Sequence, residues 1–455
     1  GLLEQWSTVR HDLGFYCSVG MTGRYHPPTS SQLKPDTIYS ALKTVISRHA
    51  PLGSSIVNES TLTPHLVRLR RIDLREVVSF VPTPEGADRD RELDKIISTN
   101  HSIPFKDLGR LPLWRIVVCV PSEHHSASDK HGVDISLFIH HALADGGSAV
   151  IFHRSLFSAL NSSNDEDNVD PIVDVPPLRL LPPLHSLLSM PISWFTLGKV
   201  LYHSWFPPSS SSLWTGPVIT PTNPLIAETT HFVLPSSSVS SVTTLCKENQ
   251  TSWTALLEAI IAKALFDILP VDGTADQLAC CCAFSLRRFI PILGSKDMGV
   301  FYASATHHFS RTEMNTSGTI GLWDAARRIK LALDAKIAAG DRDQDTGLLR
   351  YASTVRQFVM DQVGKKRGAS FEVSNVGVVQ FDQTEKDHSV SDWTVQRILF
   401  SQSANVVGAP ITFNVSSVKG GDMCISASWQ VGVVDSALAR NLTEKLSTLL
   451  TSLVI

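Results

Sequence analysis

From Asn161 to about Pro235 the sequence stops alternating and becomes dense in proline and serine, with NSSNDEDN, VPPLRLLPP, FPPSSSS and TPTNP in succession. On either side, apolar residues recur in turn at helical and at strand spacing. A chain interrupted in this way builds two α/β units and a connection rather than one continuous sheet. Its 455 residues exceed what one hydrophobic core usually supports. The expected division is a first domain over 1–160, a crossover over 161–229 and a second domain over 230–455.

In the first half, TIYSALKTVISRH (37–49) reads as an amphipathic helix with Ile38, Leu42, Val45 and Ile46 on one face. HLVRLRRIDL (65–74) and VVSFV (77–81) read as strands, and RELDKIISTNHSIPF (91–105) as a helix that ends before Pro104. LPLWRIVVCV (111–120) and VDISLFIH (133–140) read as a strand pair around a polar, hairpin-like loop, PSEHHSASDKHG, and SAVIFHRSLFSAL (148–160) returns to a helical period. In the second half, THFVLP (230–235), QLACCCAFSLRRFIP (277–291), ASFEVSNVGVVQF (369–381), VQRILFSQSA (395–404), APITFNVSSV (409–418) and DMCISASWQ (422–430) read as strands. SWTALLEAIIAKALFDIL (252–269), LWDAARRIKLALDAKI (322–337) and SALARNLTEKLSTLLTSLV (436–454) read as helices.

Charge narrows the function classes. Forty basic and 43 acidic residues are scattered along the chain for a net charge of -3, so no basic stripe awaits a nucleic acid. The seven cysteines form no CxxC pair, and Cys280, Cys281 and Cys282 sit together in LACCCAF as small buried apolar residues. With charges throughout GLLEQWSTVRHDLG and no secretion signal, the chain is expected to be cytoplasmic and reduced. LLPPLHSLLSMPISWFTLG (180–198) is uncharged enough to suggest a membrane span, but Pro182, Pro183 and Pro191 break it. A segment packed over a domain is the expectation, with peripheral membrane contact near SWFTLGKVLYHSWF as its rival.

FIHHALADGG (138–147) carries the chemistry. His141 and Asp145 follow a buried strand at a Gly-Gly turn, a costly place for ionisable groups unless partners are supplied. His140 alternates with His141 and so points to the opposite face, as a core histidine. A zinc site would need a third ligand from His124-His125 or His307-His308, and no signature spacing supports one.

His141-Ala-Leu-Ala-Asp145-Gly146 resembles the HxxxDG motif of the CoA-dependent acyltransferase superfamily, which includes chloramphenicol acetyltransferase, plant BAHD acyltransferases and peptide-synthetase condensation domains. LPLWRIVV before it, FSLRRFIP followed by MGVFYAS, SNVGVV (374–379), FSQSA (400–404), SVKGGDMCISASWQVGVVD (417–435), LGFYCSVGMTGRY (13–25) and HAPL (49–52) look most like the fungal alcohol O-acetyltransferase family. The resemblance spans nearly the whole chain, and the crossover is covered least.

What the resemblance implies is two chloramphenicol-acetyltransferase-like domains of mixed sheets flanked by helices, with an active-site channel between them. It implies an acetyl or other short acyl group moved from acyl-CoA to the hydroxyl of a small alcohol, with His141 as general base. It also implies no bound cofactor, no metal and a monomer. Asp145 would be a structural strut paired with Arg287, or less favourably Arg288, and Gly146 would complete the motif. The family's Asp-Val-Arg is Ser285-Leu286-Arg287 here, which removes one acid, and the plant DFGWG pentapeptide is absent. Ser374, Asn375, Ser401 and Gln402 are candidate oxyanion or substrate residues, because polar side chains interrupt apolar strands there. Lys365, Lys366 and Arg367 are candidates for the phosphates of CoA. The rival readings are a condensation-like enzyme with a carrier-protein thioester donor, which His140 before His141 recommends, a silent ligand-binding member of the fold, and a zinc hydrolase.

Overall fold

The computed structural model describes residues 1–28, 33–120, 132–162, 168–205, 212–315, 319–352, 354–381 and 392–454. The polar loop read at 121–132, with His124 and His125, falls almost wholly outside the described residues.

The first half supplies α1 (Leu2–Asp12), β1 (Val19–His26), α2 (Pro35–Ile46), β2 (Val78–Pro82), α3 (Arg89–Ser102), β3 (Trp114–Val120), β4 (Val133–Ile139) and α4 (Gly146–Leu160). The second supplies α5 (Trp194–Trp205), β5 (Ala227–Leu234), α6 (Trp253–Ile268), β6 (Gln277–Ser285), β7 (Tyr302–Ser310), α7 (Ile320–Ala338), β8 (Phe371–Val379), β9 (Thr394–Gln402), β10 (Ile411–Val418), β11 (Met423–Gln430) and α8 (Ser436–Ser452). These form two mixed sheets, one of five strands in the order β9-β1-β4-β3-β2 and one of six in the order β7-β6-β8-β10-β11-β5. β9 therefore leaves the second half and closes the edge of the first sheet, pairing antiparallel with β1 so that Gly20 faces Ser401.

Residues of α2 and α4 pack on one face of the first sheet, against Val19, Met21, Trp114, Ile116, Ile135 and Leu137. Leu93 and Ile97 of α3 cover the other face with Val117, Cys119 and Phe138. α6, α7 and α8 cover the outer face of the second sheet, where Cys280, Cys282, Phe371, Val373 and Phe413 point. The triple cysteine thus behaves as a strand: the first and third are in this core and Cys281 faces the opposite way, into a cavity between the sheets. That corrects the reading of all three as core residues, because strand alternation turns every second side chain over.

The crossover departs from the expected packed segment in its second part. Leu184 and Met190 are buried against Leu286, Ile290, Val300 and Phe301. On α5, however, Trp194 is 87% and Phe195 84% exposed. Pro191 separates the two parts and ends the buried one. Among the described residues, no helix is long and apolar enough to cross a membrane.

Candidate active site

β4 is buried along its whole length and delivers its last residues to the junction of the two sheets. Beyond it, His140 N donates to Leu113 O at 2.9 Å and Leu143 N to His140 O at 2.9 Å, closing a tight turn. Asp145 then caps α4, its Oδ1 accepting from Ser148 N at 2.8 Å. Inside this turn His141 Nδ1 lies 2.9 Å from Ala144 O. A carbonyl can only accept, so Nδ1 carries the proton and Nε2 keeps its lone pair. The imidazole stacks on Tyr302 at 5.3 Å between centroids and lies 5.7 Å from Tyr16. Burial, and then the Arg10 guanidinium, lower its pKa to about 4 against the opposing pull of Asp145. The ring is a neutral base at pH 7.

Asp145 turns away from that ring. Its Oδ1 accepts from Arg287 Nη2 at 2.6 Å and its Oδ2 from Phe301 N at 3.0 Å. Arg287 also donates to Asp297 O at 3.1 Å and to Ser148 Oγ at 2.8 Å, whereas Arg288 is exposed. The glycines explain how the strut fits. A Cβ on Gly147 would stand 2.9 Å from Arg287 Nε, and one on Gly146 would stand 2.6 Å from Val376 Cγ1 and 3.0 Å from Phe400 Cζ.

A cavity of about 360 Å³ opens at His141. Of the four polar candidates, Ser374 and Gln402 line it. The Ser374 hydroxyl makes no hydrogen bond to a described residue. Gln402 is engaged on both sides, accepting from Tyr16 Oη at 2.9 Å and donating to Asn414 Oδ1 at 2.7 Å. Asn375 and Ser401 alternate out of the cavity. Asn375 Nδ2 donates to Thr254 Oγ1 at 3.1 Å and its Oδ1 accepts from Gly377 N at 2.8 Å, holding the bulge where β8 slips against β10. Ser401 Oγ meets His101 Nε2 at 2.8 Å in the protein interior. The basic triplet is not aimed at this cavity either. Arg367 is 3% exposed and donates to the carbonyls of Pro217, Val406 and Gly408, while Lys365 and Lys366 are exposed.

His140 lies on the far side of the strand end. Its Nδ1 accepts from Ala142 N at 2.9 Å, which leaves the proton on Nε2, 3.6 Å from Glu59 Oε1. His11 reaches the same carboxylate through Nδ1 at 2.8 Å while its Nε2 accepts from Phe105 N at 3.0 Å. Burial raises the Glu59 pKa, but hydrogen bonds from His11 and His140 more than offset it, to about 2. The three residues are spaced as metal ligands would be. Yet in each ring a backbone N–H occupies the second nitrogen, so both rings must present N–H, not a lone pair, to the centre. His307, the other partner considered for zinc, is paired with Glu258 in the second core at 2.7 Å.

Three cavity residues escape sequence reading: Arg10, Tyr302 and Glu372. Glu372 had a signal, a charge two residues before Ser374 on the same face of an apolar strand. Arg10 had none, since GLLEQWSTVRHDLG shows no clear helical stripe.

The fold has known counterparts. The alcohol acetyltransferase family profile matches residues 1–453. A probable alcohol acetyltransferase of Aspergillus fumigatus, crmB, is 29% identical over 468 residues, covering 98% of this chain and 97% of its own. A probable alcohol acetyltransferase of Fusarium pseudograminearum, FCK4, is 26% identical, covering 98% and 93%. Among solved structures, the trichothecene 15-O-acetyltransferase TRI3 of Fusarium sporotrichioides superposes with a TM-score of 0.70 at 14% identity, over 99% of this chain and 93% of that one. The first condensation domain of the CDA synthetase superposes at 0.63 with 12% identity, over 100% and 94%. The two sheets are therefore a pair of chloramphenicol-acetyltransferase-like domains, and the chain belongs to the alcohol acetyltransferase family.

Proposed function

We propose that the protein transfers an acetyl or other short acyl group from acyl-CoA to a hydroxyl of a small-molecule alcohol, with His141 Nε2 as general base. The observation that carries this is the locked tautomer: Nδ1–H is held by Ala144 O, and the basic nitrogen is left for the cavity between the domains. An alcohol is a weak nucleophile at neutral pH. Removal of its proton by Nε2 as the oxygen attacks the thioester carbon produces a tetrahedral oxyanion, and the imidazolium returns the proton to the departing CoA sulfur. Ser374 Oγ, uncommitted and on the cavity wall, is the oxyanion donor we assign. Asp145 and Arg287 fix the loop and do not move protons.

The reading includes domains divided at 1–160 and 230–455, with the site built from both halves of one chain and no second copy required. Free CoA thioesters rather than carrier-bound ones are the assigned donors, because His140 is buried facing Glu59 at 3.6 Å and does not line the cavity. The test is release of CoA thiol from acetyl-CoA with a panel of alcohols, wild type beside His141→Ala, both checked by circular dichroism. Acceptor-dependent release should fall roughly 10²–10⁴-fold in the folded variant. Equal rates would remove His141 from its role. Release only from carrier-bound donors would favour the condensation-like alternative, and binding without any transfer the silent one.

A further inference from the structure

The cavity contains two charged groups that the transfer chemistry above does not use. Arg10 projects from α1 and is 3% exposed. Its guanidinium is clamped over the rings of Trp6 and Tyr16, 4.9 and 4.6 Å from their centroids. Its one hydrogen bond to a described residue runs from Nε to Trp6 O at 3.4 Å, and Nη2 is buried with no partner. Glu372 projects from β8, in register with Cys281 and Thr412, onto the cavity face of the second sheet. Its carboxyl makes no hydrogen bond or ion pair with a described residue. The two groups feel each other's charge: Arg10 opposes the rise that burial imposes on Glu372, whose pKa is pushed up to about 7.

Opposite charges in a low-dielectric cavity ordinarily close on each other, since an unpartnered buried charge is costly. Here no hydrogen bond or ion pair joins them: Arg10 is stacked over aromatic rings of the first half, and Glu372 stands on a central strand of the second. A group placed between them would complete both. A guanidinium can only donate, and Glu372, once ionised above its pKa of about 7, can only accept. A hydroxyl does both at once; a carbonyl would satisfy only Arg10, and an ammonium only Glu372.

We propose that Arg10 and Glu372 together recognise a second hydroxyl on the acceptor, so that the preferred acceptors are compact diols and polyols rather than simple alcohols. This rests on the acyl-transfer reading of His141. Glu372 is a specificity-determining residue, accepting the O–H of the hydroxyl that is not acylated, while Arg10 donates to the same oxygen. The modest cavity sets the size: a volume of about 360 Å³ must hold the acyl thioester end and the acceptor together.

The test uses matched acceptors, each a monofunctional alcohol paired with the same carbon skeleton bearing a second hydroxyl, such as 1-butanol and 1,3-butanediol. Thiol release gives kcat/KM for each, and thermal shift gives binding without turnover, in wild type, Glu372→Gln, Glu372→Leu and Arg10→Met. Wild type should prefer the diol of a pair. In Glu372→Leu that preference should fall roughly 10- to 100-fold, the cost of one unmade hydrogen bond at a buried site. Glu372→Gln, which keeps an acceptor oxygen, should lose less. The loss should fall on the acceptor's KM and not on that of acetyl-CoA. Transfer with no diol preference in wild type, or a loss carried by the KM of acetyl-CoA, would overturn the inference and leave acyl transfer standing. Diol binding sensitive to Glu372 but with no transfer would overturn the acyl-transfer reading and keep only the recognition of a hydroxyl by Glu372, and neither binding nor transfer would overturn both.

Discussion

Asp145 follows His141 by four residues and invites the role of a triad aspartate, but its oxygens are committed elsewhere. They hold Arg287 at 2.6 Å, Phe301 N at 3.0 Å and Ser148 N at 2.8 Å, and all three ties fasten the loop that bears His141 to α4 or to the second half of the chain. Removing the carboxylate strands a largely buried guanidinium and two backbone donors. Asp145→Ala should therefore cost about 3–5 kcal/mol of folding stability, the range for one-sided loss of a buried pair. Urea denaturation of the variant checks this. A variant as stable as wild type yet inactive would show that the aspartate serves the imidazole directly, and the strut assignment would be wrong. At this scale the motif was legible because three contiguous features, histidine, aspartate and glycine, compress the turn into one stretch of sequence. Arg10 was not, and the charge of Glu372 on an apolar strand did not reveal its partner. They come from opposite ends of the chain, and no local pattern records that α1 and β8 meet at one cavity.

Among the elements, α3 shows how an exposed-looking face can be an interface. In RELDKIISTNHS the polar residues Asp94, Ser98 and Ser102 recur every four positions and read as a solvated stripe. The structure lays that stripe along β5, the edge strand of the second sheet. Ala227 N donates to Ser102 Oγ at 2.9 Å, Thr229 N to Ser98 Oγ at 2.9 Å and His231 N to Asp94 Oδ2 at 3.3 Å. The match is metrical: four helical residues advance about 6 Å, close to the advance of two strand residues, about 6.8 Å. The helix thereby satisfies the outward N–H groups of an edge that would otherwise invite another strand. The double variant Ser98→Ala/Ser102→Ala should lose about 2–6 kcal/mol, two unsatisfied buried donors at about 1–3 kcal/mol each. Self-association of the variant, followed by analytical ultracentrifugation, should rise as the edge is uncovered. A stable, non-associating double variant would mean that water replaces the hydroxyls. The strand signal at 65–74 held for conformation but not for continuity: HLVRLRRIDL is two short strands, His65–Arg68 and Arg71–Asp73, paired with different partners that its own composition does not name.

Across the whole molecule, the two-unit plan was legible because the proline-rich interruption falls between two separately periodic halves. The transfer of β9 into the first sheet was not, since strand order is absent from periodicity. That interlocked architecture buries histidines in quantity. His153 accepts no further proton without losing a bond, for Tyr25 Oη sits 2.8 Å from Nδ1 and Met21 O 2.9 Å from Nε2. Burial lowers His101 to about 3, and His140, His141 and His153 to about 4. In the unfolded chain these rings titrate near pH 6.5. Between about pH 6.5 and pH 4 the unfolded state therefore binds more protons than the folded state, and stability falls as pH falls. Glu372 works in the opposite sense: its raised pKa makes the folded state take up a proton between about pH 7 and the ordinary carboxylate range, so acidification favours folding through this one group. Glu59, held at about 2, adds stability that is lost only below the ordinary carboxylate range. Four histidines outweigh Glu372 and Asp94, whose pKa burial also raises, and each uncompensated proton is worth about 1.4 kcal/mol per pH unit. Urea midpoints should fall steadily from pH 6.5 to pH 4.5. Replacing His153 by Gln should flatten that slope by up to one proton, whatever it does to the stability at pH 7. A slope unchanged in the variant would show that this ring is already protonated in the folded protein, and a midpoint rising toward pH 4.5 would show that the carboxyl term dominates.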